Sequence, residues 1–164
     1  MKTLVIVRHA KSSWDDLSLS DHQRPLSKRG LRDAPVMGAR LADWGPPVDR
    51  VISSSATRAL TTAELVTHEM GLPWDEIQIE DALYHATEEE MLDLINEQED
   101  YLDGLMLFGH NPGMTYLAMN LSTLELDNLP TCGVVVLQFA VDSWSEIGER
   151  IATSADLDFP KKDR

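Results

Sequence analysis

A chain of 164 residues is about one domain's worth of polypeptide and buries roughly two-thirds of its unfolded surface. Hydrophobic residues at 43% and charged residues at 26% exclude a disordered tail, a coiled coil or a collagen-like rod. The net charge of −14 is uneven: all Lys and Arg lie before Ala59 or after Glu149, and residues 59–149 carry nineteen acids. DNA or an anionic membrane would meet a repulsive field over most of the molecule, so neither is an expected partner, and any phosphate site must draw on the N-terminal third. No apolar run approaches the ~20 residues needed to cross a bilayer, and Thr3 to Val7 is too short for a signal-peptide core, which points to the cytoplasm. The single Cys132 excludes an internal disulfide, and no Cys pair or His-x-x-x-His spacing suggests structural zinc.

Short apolar runs alternate with helical patterns along the chain, the signature of an α/β protein. Thr3 to Val7 is a β-branched run suited to a central strand covered on both faces. Ser27 opens a helical face through Leu31, Ala34, Gly38 and Leu41 that ends at Gly45-Pro46-Pro47, with Pro35 expected to kink or restart it. Val48 to Ser53 is a second strand, Thr57 to Met70 a second helix, and Ile77 to Ile79 a weak third strand. Thr87 to Glu90 is a capping box that opens a helix through Met91, Leu92 and Ile95. Gly104 to Phe108 is another strand and the segment after Gly113 another helix. Gly133 to Phe139 and Ile147 to Ala152 are late strands. Residues 1–154 form one expected domain and 155–164 a C-terminal tail.

Ligands of open α/β sheets collect at the carboxyl ends of the strands. Here the first strand runs into Arg8-His9-Ala10-Lys11, the second into Ser53 to Arg58, and the fourth into Gly109-His110-Asn111-Pro112-Gly113. Two histidines and two arginines therefore come from three strand ends. Phosphoryl transfer through a histidine needs such a set: arginine forks bind phosphate oxygens, a second histidine hydrogen-bonds an equatorial oxygen, and neutral imidazole attacks without a separate base. No metal or other cofactor is required by this chemistry.

Arg8-His9 after an N-terminal strand, Arg24-Pro25-Leu26-Ser27 with Gly30, Ser53 to Thr61, and Gly109 to Gly113 together resemble the histidine phosphatase superfamily, and within it the short SixA-type phosphohistidine phosphatases. The resemblance implies a phosphoglycerate mutase-like, three-layer α/β/α fold with a mostly parallel central sheet. It implies His9 as the phosphate acceptor, Arg8 and Arg58 as phosphate clamps, His110 as the second histidine and Arg24 as a further phosphate contact. Ala10 stands where the family's Arg-His-Gly signature has glycine.

Superfamily members that cleave phosphate esters resemble one another in carrying a Glu where Leu83-Tyr84-His85 puts a histidine. An imidazole leaving group needs a proton donor far less than an alkoxide does. The departure therefore favours a P–N bond on a phosphorylated protein, with His85 as a possible donor. The alternative is a small-molecule phosphomonoesterase using Glu80 or Asp81, and a non-catalytic phosphate-binding module stands behind it. No lid-length insertion is present, which suits a protein substrate, and the enzyme is expected to be a monomer. His22 and His68 fall in no motif and read as surface residues, Cys132 as a small buried apolar one, and the acidic belt from Asp75 to Asp103 as a solvated face. Trp14 and Lys11 sit in the loop after the first strand, where Trp14 rims the pocket or lies exposed without a role.

Overall fold

Val5 and Val7 pack on one side of the first strand and Leu4 and Ile6 on the other, because successive side chains of a strand point to opposite faces. That strand, Lys2–Arg8 (β1), lies inside a six-stranded sheet in the computed structural model, which describes residues 1–162. In chain order there follow Lys28–Trp44 (α1), Arg50–Ser53 (β2), Thr57–Glu69 (α2), Gln78–Ile79 (β3), Glu88–Asn96 (α3), Gly104–Gly109 (β4), Gly113–Leu121 (α4), Val134–Phe139 (β5) and Ser154–Asp158 (β6). The strand order is β3-β2-β4-β1-β5-β6. Only β5 runs against the others, since β1 and β6 both pair with it antiparallel.

The sheet is covered on both faces, giving three layers. Ala34, Met37 and Leu41 of α1 and Ala63 and Val66 of α2 meet Val5, Val7, Met106 and Phe108. Met91 and Ile95 of α3 and Met114, Leu117 and Leu121 of α4 meet Leu4, Ile6, Leu105 and Leu107. Burying each of the Val, Leu, Ile, Met and Phe side chains among these stabilises by roughly 1.5–3 kcal/mol. No helix among the described residues is long and apolar enough to cross a membrane.

Pro35 does not interrupt α1, which runs unbroken from its N-cap Ser27 to Gly45, where φ is 76°. The buried stripe of Ala34, Met37, Gly38 and Leu41 spans the proline and holds the helix across the one hydrogen bond it removes.

The last strand also differs from the sequence expectation. Ile147 to Ala152 is not a strand: Trp144–Glu146 is a 3₁₀ turn, and Asn96 Nδ2 donates to the carbonyls of Trp144 and Ile147 at 2.8 and 3.0 Å. Trp144 and Ile147 are buried as anchors for that turn. The strand is Ser154–Asp158, inside the segment taken for a tail, of which residues 163–164 lie outside the described residues. Its two acids hide it in the sequence, and the buried Asp158 is matched by Arg40 at 3.4 Å.

Candidate active site

Register at the carboxyl end of the sheet brings the motifs together. Arg8 of β1 lies opposite Gly109 of β4, and Ser53 of β2 opposite Phe108. The next residues of each strand therefore leave the sheet side by side: His9 N–H donates to the Gly109 carbonyl at 3.0 Å and Ser54 N–H to that of Phe108 at 3.0 Å. The His9 and His110 rings end 5.1 Å apart, centre to centre. Cys132, buried and at φ 58°, closes the fourth side with an N–H that donates to the His9 carbonyl at 3.0 Å.

The glycines of two motifs are contact points. A Cβ on Gly30 would lie 2.2 Å from the Lys11 carbonyl oxygen, and Ser27 N–H donates to that same oxygen at 2.8 Å. The start of α1 is thereby clamped to the loop after β1. A Cβ on Gly113 would lie 2.4 Å from the Ala86 carbonyl oxygen, so only glycine lets the loop carrying His85 approach α4.

His9 is 8% exposed and its Nδ1 lies 2.7 Å from the Ala10 carbonyl oxygen. An oxygen that can only accept requires the hydrogen on Nδ1, so Nε2 carries the lone pair. Burial pushes the His9 pKa down to about 4; the Ala10 hydrogen bond opposes this, and the charges of Arg58, Arg8 and Arg24 add to it. His110 is pushed down to about 3, by burial first and then by His9, Arg58 and His85. Both imidazoles are neutral at pH 7.

His110 Nε2 lies 2.8 Å from Ser54 Oγ, which also accepts from Ala56 N–H at 3.2 Å; in the tautomer where the Ser54 hydroxyl donates to Nε2, the hydrogen of His110 sits on Nδ1. That Nδ1 and the Nε of Arg8 are buried with no hydrogen-bond partner among the described residues. Leaving such groups unpaired costs about 1–3 kcal/mol each, and a catalytic role or a bound ion or water is among the reasons a protein does so; Arg29 Nε, away from this site, is buried without a hydrogen-bond partner as well. The rest of the Arg8 side chain is anchored, donating from one Nη to the Leu129 carbonyl at 2.9 Å, an acceptor it shares with Asn111 Nδ2 at 3.0 Å.

Arg58 stands in the first turn of α2 and donates to the Asp21 backbone carbonyl at 2.7 Å and to the Asp21 carboxylate at 3.0 Å. Arg24 is 7% exposed, donates to the other Asp21 oxygen at 2.8 Å and lies 3.4 Å from the centre of the Trp14 ring. Trp14 thus rests on Arg24 with 63% of its surface exposed, while Lys11 points to solvent.

Arg58, Tyr84, His85, Ala86, His110, Asn111 and Pro112 line a cleft of about 190 Å³. His85 is exposed on its rim and stacks on Tyr84 at 3.9 Å. Glu80 lines a separate groove with Glu90, Asp93 and Glu97, and Asp81 lines neither. Among the described residues no group of three or more His, Cys, Asp or Glu could hold a metal ion.

Sequence reasoning missed Asp21, Ser54, Tyr84 and His22. His22 is not a free surface residue: its Nε2 lies 2.9 Å from Ser55 Oγ and its ring meets Tyr84 edge-on at 4.8 Å. Ser54 stands inside a motif already singled out, whereas Asp21 and His22 become visible only when the loop folds over α2.

Comparison with known proteins bears on the family and the fold. Residues 4–87 match the family model described as histidine phosphatase superfamily (branch 1). An uncharacterised chloroplast protein of Arabidopsis thaliana is 33% identical over 88% of this chain and 70% of its own length. An uncharacterised protein of Mycobacterium tuberculosis is 31% identical over 94% of this chain and all of its own. Among solved structures, one from Agrobacterium tumefaciens, assigned by name to the SixA phosphohistidine phosphatases, is 28% identical over 84% of this chain and 92% of its own, with a TM-score of 0.75. The protein histidine phosphatase SixA in complex with tungstate shares the fold, with a TM-score of 0.72 at 20% identity over 96% of this chain and 94% of its own.

Proposed function

This chain belongs to the histidine phosphatase superfamily, and from that premise we propose that it is a metal-independent phosphatase that hydrolyses phosphohistidine on a protein. The observation that carries the proposal is the His9 imidazole, whose Nδ1–H is fixed on the Ala10 carbonyl so that a neutral Nε2 is free to attack. Nε2 forms a bond to phosphorus as the P–N bond of the substrate breaks, and the departing imidazole leaves with the electron pair and takes up a proton. Water then attacks the phosphorus on His9, the P–Nε2 bond breaks, and inorganic phosphate is released. Arg8 and Arg58 neutralise the phosphoryl oxygens, and the unpartnered Arg8 Nε and His110 Nδ1 hydrogens supply donors for the charge that spreads over them in the transition state.

An imidazole whose conjugate acid titrates near ~6.5 departs without a strong acid behind it. His85 on the cleft rim is the group that can lend a proton, and neither Glu80 nor Asp81 lines the cleft. A cleft of about 190 Å³ holds a phosphoryl group together with part of the side chain that carries it, and the rest of a protein substrate lies outside it. The likeness to a SixA protein that holds tungstate, a phosphate-like oxyanion, supports the same reading.

The test is turnover, side by side, of a phosphohistidine protein, phosphoramidate, and an aryl or sugar phosphate. Phosphohistidine is expected to be hydrolysed fastest, with His85→Ala costing less than about tenfold where essential general acids are worth roughly 10²–10⁴. Faster ester turnover together with a 10²-fold loss in Glu80→Gln or Asp81→Asn would make the protein a small-molecule phosphatase instead.

A further inference from the structure

Asp21 makes more contacts with the phosphate arginines than the reaction accounts for. One carboxylate oxygen accepts from Arg24 Nη1 at 2.8 Å. The other accepts from Arg58 Nη2 at 3.0 Å and from the Tyr84 hydroxyl. The backbone carbonyl of the same residue accepts from Arg58 Nη1 at 2.7 Å, so the Arg58 fork is seated at two points and its plane is fixed. Each Arg58 Nη keeps a second hydrogen for an oxyanion.

Arg24 is occupied differently. Its Nε donates to the Ser13 carbonyl at 3.1 Å, one Nη to Ser12 Oγ and the other to Asp21, and Trp14 covers its face. All three nitrogens are engaged with the loop after β1 and with Asp21. The turn that carries Asp21 is tied to the entry of α2 by the His22–Ser55 contact at 2.9 Å, one residue away. Tyr84, Arg24 and Arg58 hold the Asp21 carboxyl well below the usual carboxylate range, the tyrosine hydroxyl contributing most, so it stays ionised at any working pH.

We propose that Asp21 is a positioning residue of this site, holding the Arg58 guanidinium in its working orientation and offsetting one of the three arginine charges, and that Arg24 acts through Asp21. The inference rests on the phosphoryl-transfer reading above and adds what tunes it. With both histidines neutral, three arginines and one carboxylate leave a formal charge matched to a phosphoryl dianion.

Removing the Asp21 charge then has opposite effects on binding and turnover. A resting anion meets a more positive clamp and binds tighter. The transition state meets an Arg58 that is no longer held, and small misplacements of such a group cost up to about 10²-fold. A loss of folded protein would lower turnover alone.

The experiment measures inorganic phosphate binding by calorimetry and phosphoramidate turnover for the full chain and for Asp21→Asn, Asp21→Glu, Arg24→Gln and the Asp21→Asn/Arg24→Gln double variant. Asp21→Asn is expected to lower kcat roughly 10- to 100-fold while phosphate binds roughly three- to tenfold tighter. Asp21→Glu, which keeps the charge, restores phosphate affinity to within about threefold of the parent, and the double variant falls no lower in kcat than Asp21→Asn. Asp21→Ser takes the place of Asp21→Asn if circular dichroism shows the latter unfolded. Unchanged kcat, a fall in kcat without tighter phosphate binding, or additive losses in the double variant would overturn the inference while the parent protein still binds phosphate and turns over. A parent protein that does neither would instead overturn the phosphatase reading, and the inference with it.

Discussion

Lowering the pH from 7 to 5 separates a buried, neutral nucleophile from an ordinary histidine. With a reference pKa near ~6.5, a solvent-exposed imidazole is only about 3% neutral at pH 5. His9, pushed down to about 4 by burial and by three arginines, keeps about 90% of its lone pair there, and His110, lower still, stays neutral as well. The ratio of the two neutral fractions is about 30. The dependence of kcat/KM on pH reports ionisations of the free enzyme once substrate ionisation is divided out. With phosphoramidate as substrate, kcat/KM is expected to fall less than about twofold between pH 7 and pH 5, with the acid limb appearing only near pH 4. The C2-proton resonance of His9, followed by NMR across the same range without substrate, should titrate with that limb. A half-maximal point near pH 6.5 in both measurements would refute the argument, because it would mean that the protein neither desolvates His9 nor opposes its charge.

The same depression makes stability pH-dependent with a definite sign. Between pH 6.5 and about 4 the unfolded chain binds protons that folded His9 refuses, so stability falls as the pH falls through this window. His9 accounts for about 2 kcal/mol of loss at pH 5, and His9→Asn should show a correspondingly smaller drop in urea unfolding free energy between pH 7 and pH 5 than the parent. Gly30→Ala puts a methyl 2.2 Å from the Lys11 carbonyl oxygen and should cost more than about 2 kcal/mol in the same assay, with turnover reduced because the loop after β1 is displaced; a cost below 0.5 kcal/mol would show that the contact yields freely. Turnover should survive a chelator unchanged to within about twofold, since arginines supply the charge that a metal would bring. Activity lost in chelator and restored by magnesium or zinc would contradict that.

The sheet was legible because its strands are short apolar runs that end at chemistry. Thr3 to Val7 and Gly104 to Phe108 are buried on both faces, and that is what a continuous hydrophobic run records. The Ser154–Asp158 strand was not, because an edge position tolerates acids that a central strand would exclude, and the buried Asp158 depends on Arg40, distant in sequence. At the site, His9, Arg8, Arg58 and His110 stood out because they follow strand ends, and parallel register converts that into proximity. Asp21 and Tyr84 did not. Their roles arise from a loop folded across α2 and from a 3₁₀ turn after β3, and neither leaves a periodic signal. The wrong reading of His22 has the same origin, since its partner Ser55 is 33 residues away.

The central claim is that His9 Nε2 takes the phosphoryl group. Rapid acid-free quenching of the protein with ³²P-phosphoramidate, followed by peptide mapping, measures this directly. A label that is stable in base, lost in acid, located on the peptide containing His9 and absent from His9→Ala is the predicted result. Continued turnover by His9→Ala, or a label on any other residue that forms as fast as phosphate is released, would contradict it.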